Sequence, residues 1–460
     1  MEIFNNKISN KEEKKAIKTY NKNKKKFGDD SSEIYHLGLH QNAVLDDLST
    51  YNLVLNDTKL KLDVKDPVVI GNIRMGFGHY RIAMAMCSAA KYLNKTPLWM
   101  DLASFDGTTV SKLISHQNEL YSMGSRWSQK YPLFNKFYWE PLNSVGFAKL
   151  GYNAIDLQNA KLMTPIFNDL PKDIPFVATH AWTAQAANEA KLSRVVNAIP
   201  DNWPMALHFA PGALHTVQTN SAYWGYKTLR NMSENKVINL KESDIKMVGH
   251  YVDHELVSNI KIDCKKRNEN AKSNQKVVVL LTIGGAGAGA SLYESLIEYL
   301  SDKAIVLINV GDHKSVLDQM KSKFKTATVH SGYSDIKKFN ISDGIHLFYD
   351  EDIFGAVYST NLLMRVSDLL ITKPSELAFY PIPKLMLKRV GGHEKWGAIH
   401  SSEVGDGTFE CESIDQTINM LKLLVENPES RIIMNNAILD ANKIGTYDGA
   451  YKVIEEAFNR

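Results

Sequence analysis

Three stretches combine glycines, hydroxyls, carboxylates and imidazoles at spacings suited to chemistry on a polar, phosphorylated ligand. The first, GNIRMGFGHYR over 71–81, sets Gly76, Gly78 and His79 between an apolar run and the start of a helical pattern. Glycines admit close backbone approach and the unpaired N–H groups of a helix start favour negative charge, so this turn suits an anion or a polar substrate. Any tight strand-to-helix turn can need such glycines, and His79 fits a cap as well as a catalyst. The P-loop pattern GxxxxGK[ST] is absent here, which argues against ordinary triphosphate hydrolysis. The second stretch, TIGGAGAGAS, places Gly284, Gly285 and Gly287 directly after a Val/Leu-rich run and is the stronger phosphate site. A dinucleotide fingerprint would want an acid ending the next strand. Asp312 comes too late and after a glycine, so a nucleotide diphosphate ranks above NAD. The third, LLITKPSELAFYPIPKLMLKRVGGHEKWGA over 369–398, contains Thr372, Lys373, Ser375, Glu376, His393 and Glu394.

Two acidic groupings have a metal reading. Asp350-Glu351-Asp352 has the DxD form that can hold a divalent ion through carboxylate oxygens, but an acidic loop is commonly just solvated. His250, Asp253 and His254 could be read as metal ligands as well. Residues 119–142 hold Tyr121, Trp127, Tyr131, Phe134, Phe137, Tyr138 and Trp139 among Arg126, Lys130 and Lys136. Amphipathic aromatics beside cations suit a lipid headgroup layer, and a core helix can have the same composition.

These residues need a scaffold, and from Asp66 onward short Val/Ile/Leu runs alternate with segments of helical period, the pattern of parallel sheets with crossover helices. One series begins at PVVIG (67–71), with later strands expected at 96–101, 174–179 and 204–209. A second begins at KVVVLLTIGG (276–285), with strands expected at 304–311, 344–350, 368–373 and 384–388. The expected fold class is therefore α/β, with two Rossmann-like doubly wound parallel-sheet domains in tandem. The boundaries read as a basic N-terminal extension (1–66), a first domain (67–250), a linker (251–275), a second domain (276–445) and a C-terminal helix (446–460) that packs back on the first domain.

Composition narrows the classes further. The 460 residues carry 54 Lys+Arg against 51 Asp+Glu and are 44% hydrophobic, which fits a folded chain too long for one core. Nine lysines against three glutamates fall within residues 1–26, leaving the remainder slightly acidic. A broad nucleic-acid channel is not expected, whereas a local contact with an anionic membrane is compatible with that arm. No apolar run is long enough to span a bilayer and the first residues lack a signal-peptide core, so a cytoplasmic protein is expected. Cys87, Cys264 and Cys411 are far apart and suggest neither disulfides nor zinc.

The segment Thr372-Lys373-Pro374, Ser375-Glu376, Ile382-Pro383, Gly392-His393-Glu394 and Gly397-Ala398 resembles the donor-site signature of the glycosyltransferase-B (GT-B) superfamily. The nearest branch contains monogalactosyldiacylglycerol synthases, diacylglycerol glucosyltransferases and the lipid II N-acetylglucosaminyltransferase. Met75–His79 resembles the family's glycine-rich acceptor-side turn, Ala178-Thr179-His180 its Ser/Thr-His element, and 119–142 an aromatic segment of the lipid-glycosylating members. The Gly-Gly expected after Thr-Lys-Pro is missing, and Gly397 replaces an Asn. The resemblance implies the GT-B fold, its two domains facing a cleft, and a metal-independent, inverting transferase. This would move a hexose or N-acetylhexosamine from a UDP-sugar to a lipid- or polyprenyl-linked, or otherwise hydrophobic, acceptor. A sugar-nucleotide epimerase or hydrolase, or a non-catalytic nucleotide-sugar binder, is the alternative. It implies His79 as base or acceptor-orienting group, with Gly76, Gly78, Arg81, Thr179 and His180 on the acceptor side. Gly284, Gly285, Gly287 and Ser375 would meet the diphosphate, Glu376 the ribose, His393 and Glu394 the sugar, and Phe348 and Tyr349 the uracil, with Thr372 and Lys373 framing the turn. No cofactor beyond the nucleotide sugar and no nucleic-acid partner is implied, and peripheral membrane contact would run through 1–26 and 119–142.

Overall fold

The computed structural model describes residues 1–233, 238–273, 275–283, 290–389 and 391–460. A small hairpin, β1 (Glu2–Ile3) and β2 (Asn6–Lys7), precedes two large sheets. The first sheet contains β3 (His36–Gln41), β4 (Tyr51–Asn56), β5 (Pro67–Asn72), β6 (Thr96–Asp101), β7 (Phe176–Ala178), β8 (Val195–Ala198), β9 (Leu214–Val217) and β10 (Ile245–Met247), in the order β10-β9-β8-β7-β5-β6-β4-β3. All its pairings are parallel except β3 with β4. The second contains β11 (Val277–Thr282), β12 (Ala304–Gly311), β13 (Thr328–Ser331), β14 (Ile345–Tyr349), β15 (Leu369–Thr372), β16 (Lys384–Leu387) and β17 (Gly407–Cys411), in the order β13-β14-β12-β11-β15-β16-β17, all parallel.

Both sheets are doubly wound. In each, the first strand after the crossover point lies centrally, β5 between β6 and β7 and β11 between β12 and β15. The apolar runs read from the sequence become these central strands because both faces are covered: Val68, Val69, Ile70 and Val279, Leu280, Leu281 are all fully buried. The structure therefore has the expected pair of Rossmann-like doubly wound domains, facing each other across a cleft.

The N-terminal 66 residues are not an appendage. Helix Asn10–Phe27 begins with a Ser9/Glu12 capping box and packs along helix Leu150–Asn159, with Ala16 buried and Asn23 Nδ2 donating to Asn159 Oδ1 at 3.1 Å. Strands β3 and β4 extend the first sheet. The stretch read as a linker is also ordered, as helix Ile260–Lys272. Its Arg267 is buried and gives three hydrogen bonds to the carbonyls of Ser367, Pro381 and Met364 at 2.9–3.2 Å. This helix is polar and buries only a narrow face, Ile260, Cys264, Arg267 and Ala271, so its sequence has little apolar periodicity. The expected strand over 204–209 is a 3₁₀ turn, Ala206–His208, where Asn197 Nδ2 holds the His208 carbonyl at 2.7 Å and bends the chain inward.

The last helix, Gly449–Asn459, crosses to the first domain and buries Ala450, Val453, Ile454 and Ala457 against helix Gly78–Tyr92. Further ties between domains are an ion pair of Arg74 with Asp312 at 2.6 Å and the ring of Phe77 lying against Gly311.

Candidate active site

Open α/β sheets bind ligands outside the carboxyl ends of their strands, at the point where strand order reverses. Here the two such points face each other. Strand β5 runs into the Met75–His79 turn and β7 into Thr179-His180, while β15 runs into Lys373–Glu376. Between them lies a cavity of about 770 Å³ lined from both domains.

On the first-domain side, Gly76 adopts φ +72°, which accounts for glycine there. Gly78 has a different reason: a Cβ on it would fall 1.8 Å from Glu376 Oε1. Glu376 thus reaches across the cleft from the first position of a 3₁₀ turn, Glu376–Phe379, and rests on the glycine-rich turn. This single turn does not continue as a regular helix, since Pro381 and Pro383 follow too closely for it to extend. Burial raises the Glu376 carboxyl above its usual range.

His79 Nδ1–H donates to the Thr179 carbonyl at 2.7 Å, leaving Nε2 as the basic nitrogen. Burial lowers its pKa below the ordinary value, so the ring is neutral at pH 7. Thr179, expected on the acceptor side, is fully buried and instead anchors this histidine. His180 does line the cavity; its Nδ1 accepts from Trp182 N–H at 3.1 Å and its ring stands edge-on to His79 at 4.8 Å.

Thr372, Lys373, Ser375, Glu376, His393 and Glu394 all border the same cavity. Thr372 Oγ1 accepts from Thr282 Oγ1 at 3.2 Å. His393 Nδ1 is buried with no partner among the described residues. Gly284, Gly285 and Gly287 lie outside the described residues. Phe348 does not reach the site: it is fully buried in the second core, stacked on His330 at 4.8 Å. Tyr349 packs against the opposite core of that domain and is not among the cavity's walls. Their alternating placement on β14 sends Phe348 into one covering layer and leaves Tyr349 half-buried against the other.

Arg81 was expected on the acceptor side, and its backbone is there, in the first turn of helix Gly78–Tyr92. Its guanidinium crosses to the second domain, where Nη2 donates to Thr360 Oγ1 at 3.2 Å.

Asp201 and His208, with 3.0 Å between Asp201 Oδ2 and His208 Nε2, were not singled out in the sequence, and both line the cavity. Burial pushes the Asp201 carboxyl up, but the hydrogen-bond contact with His208 and the electrostatic influence of the surrounding imidazoles outweigh it and hold Asp201 well below the usual range. The available signal was positional: Asp201 follows the β8 run VVNA, at the carboxyl end of a parallel strand.

The remaining wall is aromatic. Helix Thr109–Lys130 and the helical turns after it contribute Tyr121, Trp127, Phe134, Tyr138 and Trp139. Gly124 permits this packing, because a Cβ there would meet the Trp139 ring at 2.0 Å. The wall continues to the surface, where Trp127 is 47%, Tyr138 58%, and Leu133 and Phe137 each 72% exposed.

The acidic and histidine groupings have local roles. Asp350 Oδ1 accepts from Asp352 N–H and Asp352 caps helix Ile353–Val366. His250 bonds the Phe379 carbonyl and His400, Asp253 bonds Tyr380, and His254 bonds Tyr451. No helix among the described residues is long and apolar enough to cross a membrane.

Comparison with solved structures adds remote likenesses. UDP-GlcNAc 2-epimerase from Neisseria meningitidis, bound to UDP-GlcNAc, is 14% identical over 86% of this chain and 100% of its own, with a TM-score of 0.44. MurG from Acinetobacter baumannii is 8% identical over 86% and 100%, TM-score 0.45. The α,α-trehalose 6-phosphate synthase of Burkholderia multivorans is 10% identical over 86% and 98%, TM-score 0.43. No curated protein matches the chain in sequence. Two family models match the chain in succession: residues 2–228 match Domain of unknown function (DUF6937), and residues 240–458 match Domain of unknown function (DUF6938).

Proposed function

We propose that this protein is an inverting, metal-independent glycosyltransferase that moves a hexose or N-acetylhexosamine from a UDP-sugar to a lipid-linked or other hydrophobic acceptor. The observation that carries this reading is one cavity with two chemically different walls and a tautomer-fixed imidazole between them. The polar wall, with Thr372, Ser375 and Glu376, suits a nucleotide sugar, and the aromatic wall suits an apolar acceptor. A carboxylate such as Glu376 offers two adjacent acceptor oxygens to the vicinal diol of a ribose.

In the reaction the acceptor hydroxyl loses its proton to His79 Nε2 as its oxygen bonds to the anomeric carbon. The bond from that carbon to the diphosphate breaks, and UDP leaves with the electron pair. His79 is suited to this because its Nδ1–H is committed to Thr179 and burial keeps Nε2 unprotonated. Asp201 then stabilises charge on neighbouring imidazoles without leaving the ionised state. The exposed aromatics continuous with the wall, together with the lysines of helix Asn10–Phe27, support action at an anionic membrane surface from the cytoplasmic side.

A second reading, an epimerase or hydrolase of nucleotide sugars, is favoured by the three carboxylates Asp201, Glu376 and Glu394 around one cavity. The deciding experiment incubates the protein with a panel of UDP-sugars, with and without diacylglycerol or polyprenyl-phosphate acceptors. Acceptor-dependent UDP release with a glycolipid product supports the transferase. Equal conversion of the sugar nucleotide without acceptor would replace it with the second reading.

A further inference from the structure

Buried arginines in this protein are otherwise satisfied by carbonyls. Arg267 gives three such bonds and Arg431 donates to Leu424 and Val425. Arg81 departs from this. It is only 5% exposed, borders the cavity, and its Nη1 has no hydrogen-bond partner among the described residues. It forms no ion pair among them, and its one hydrogen bond is from Nη2 to the neutral hydroxyl of Thr360. Asp253 and Glu376 act on this guanidinium only through space and the Tyr380 ring lies under it at 5.8 Å, so a buried N–H donor is left unmet, which a ligand oxyanion would satisfy.

The neighbours are arranged as donors as well. Thr360 Oγ1 accepts from both Arg81 Nη2 and Asn309 Nδ2, the latter at 3.0 Å, so its own hydroxyl hydrogen remains to be donated. Thr372 Oγ1 accepts from Thr282 and likewise has its hydrogen left. Arg81, Thr360 and Thr372 all border the cavity, and they come from helix Gly78–Tyr92 of one domain and from helix Ile353–Val366 and β15 of the other.

We propose that Arg81, with Thr360 and Thr372, forms a subsite for a multi-oxygen phosphate anion that bridges the two domains. Bidentate guanidinium contact suits such a group. With Asp201, Glu376 and Glu394 on the same cavity, an anion is held there only where this cation hydrogen-bonds it, so the subsite depends strongly on Arg81. The chemistry fits the diphosphate of a nucleotide sugar or the phosphate of a lipid carrier; only that choice of carrier rests on the proposed function.

The test is calorimetric titration of the full chain with inorganic pyrophosphate, UDP, uridine and a short prenyl monophosphate, comparing the wild type with Arg81→Met, Arg81→Lys and Thr360→Val. Pyrophosphate affinity should fall about tenfold or more in Arg81→Met and severalfold in Thr360→Val, since bonds to charged groups are the strong ones. UDP should follow pyrophosphate if the carrier is the nucleotide, the prenyl phosphate should follow it if the carrier is the lipid, and uridine should not change. Thr360→Val serves should Arg81→Met fail to fold by circular dichroism. Unchanged pyrophosphate affinity in Arg81→Lys and Thr360→Val, or no anion binding by the wild type, overturns the subsite. Sugar transfer indifferent to Arg81 would overturn it while sparing the transferase. Anion binding lost with Arg81 in a protein that turns over no nucleotide sugar would do the reverse.

Discussion

At the scale of single residues, the site rests on His79 and on the contact between Gly78 and Glu376. Replacing His79 with Ala should lower turnover by roughly 10²–10⁴-fold, the span of a general base, while UDP binding is retained; single-turnover rates beside calorimetry separate the two. The base must be neutral to act, and burial depresses its pKa below 6.5. Activity should therefore be flat on the alkaline side and fall only as pH drops below 6.5 through the depressed value. An acid limb above 6.5 would contradict this assignment. Gly78→Ala makes a sharper case, because Gly78 does not have a positive φ and the clash is with the flexible end of Glu376. Folding should tolerate it, with a melting-temperature change of a few degrees at most. The displaced carboxylate should weaken UDP binding, and adding Gly78→Ala to Glu376→Ala should have no further effect on it.

At the scale of elements, the helical stretch over 109–147 builds the apolar wall and carries it out to solvent. Leu133 and Phe137, four residues apart and each 72% exposed, share one face beside the cavity rim. Changing both to Ser should weaken sedimentation with anionic phospholipid vesicles severalfold without altering the thermal midpoint. Equal vesicle binding by the double variant would remove the membrane contact from the proposal. The N-terminal helix makes a different contribution: its packing on Leu150–Asn159 orients its lysines on the outer side, and added salt should weaken the same vesicle binding.

At the scale of the whole molecule, both domains bury polar groups whose titration is linked to folding. Burial lowers the pKa of His180, His215 and His250, that of His215 to about 4. Their folded values lie below the unfolded value of about 6.5, so the unfolded chain binds more protons below that pH. Stability is then full above 6.5 and falls on acidification, by up to about 1.4 kcal/mol per pH unit for each histidine, down to about pH 4 for His215. Denaturant melts between pH 7 and 4.5 should show this decline, and a constant midpoint would contradict it. Lys384 and Asp406 form an ion pair at 2.7 Å, both essentially inaccessible, with Tyr447 donating to Asp406 at 3.1 Å. Lys384→Met strands the carboxylate and should cost about 3–5 kcal/mol in the same melts.

The sequence by itself determined the two doubly wound sheets and the turns that end their central strands. An apolar run buried on both faces and a glycine-bearing turn are local properties, set by backbone hydrogen bonding and burial of the segment itself. Thus the Met75–His79 and Thr372–Glu376 turns were legible, as were the central strands. Only the tertiary structure decided which distant residues share a cavity. Asp201 with His208, the reach of Arg81 to Thr360, and the meeting of Gly78 with Glu376 join residues from separate loops or from opposite domains, and no periodicity encodes such proximity. Phe348 shows the converse, since an aromatic at the end of a parallel strand has the same pattern whether it faces a ligand or a core. Here the covering layer of Phe339 and His330 took it into the core.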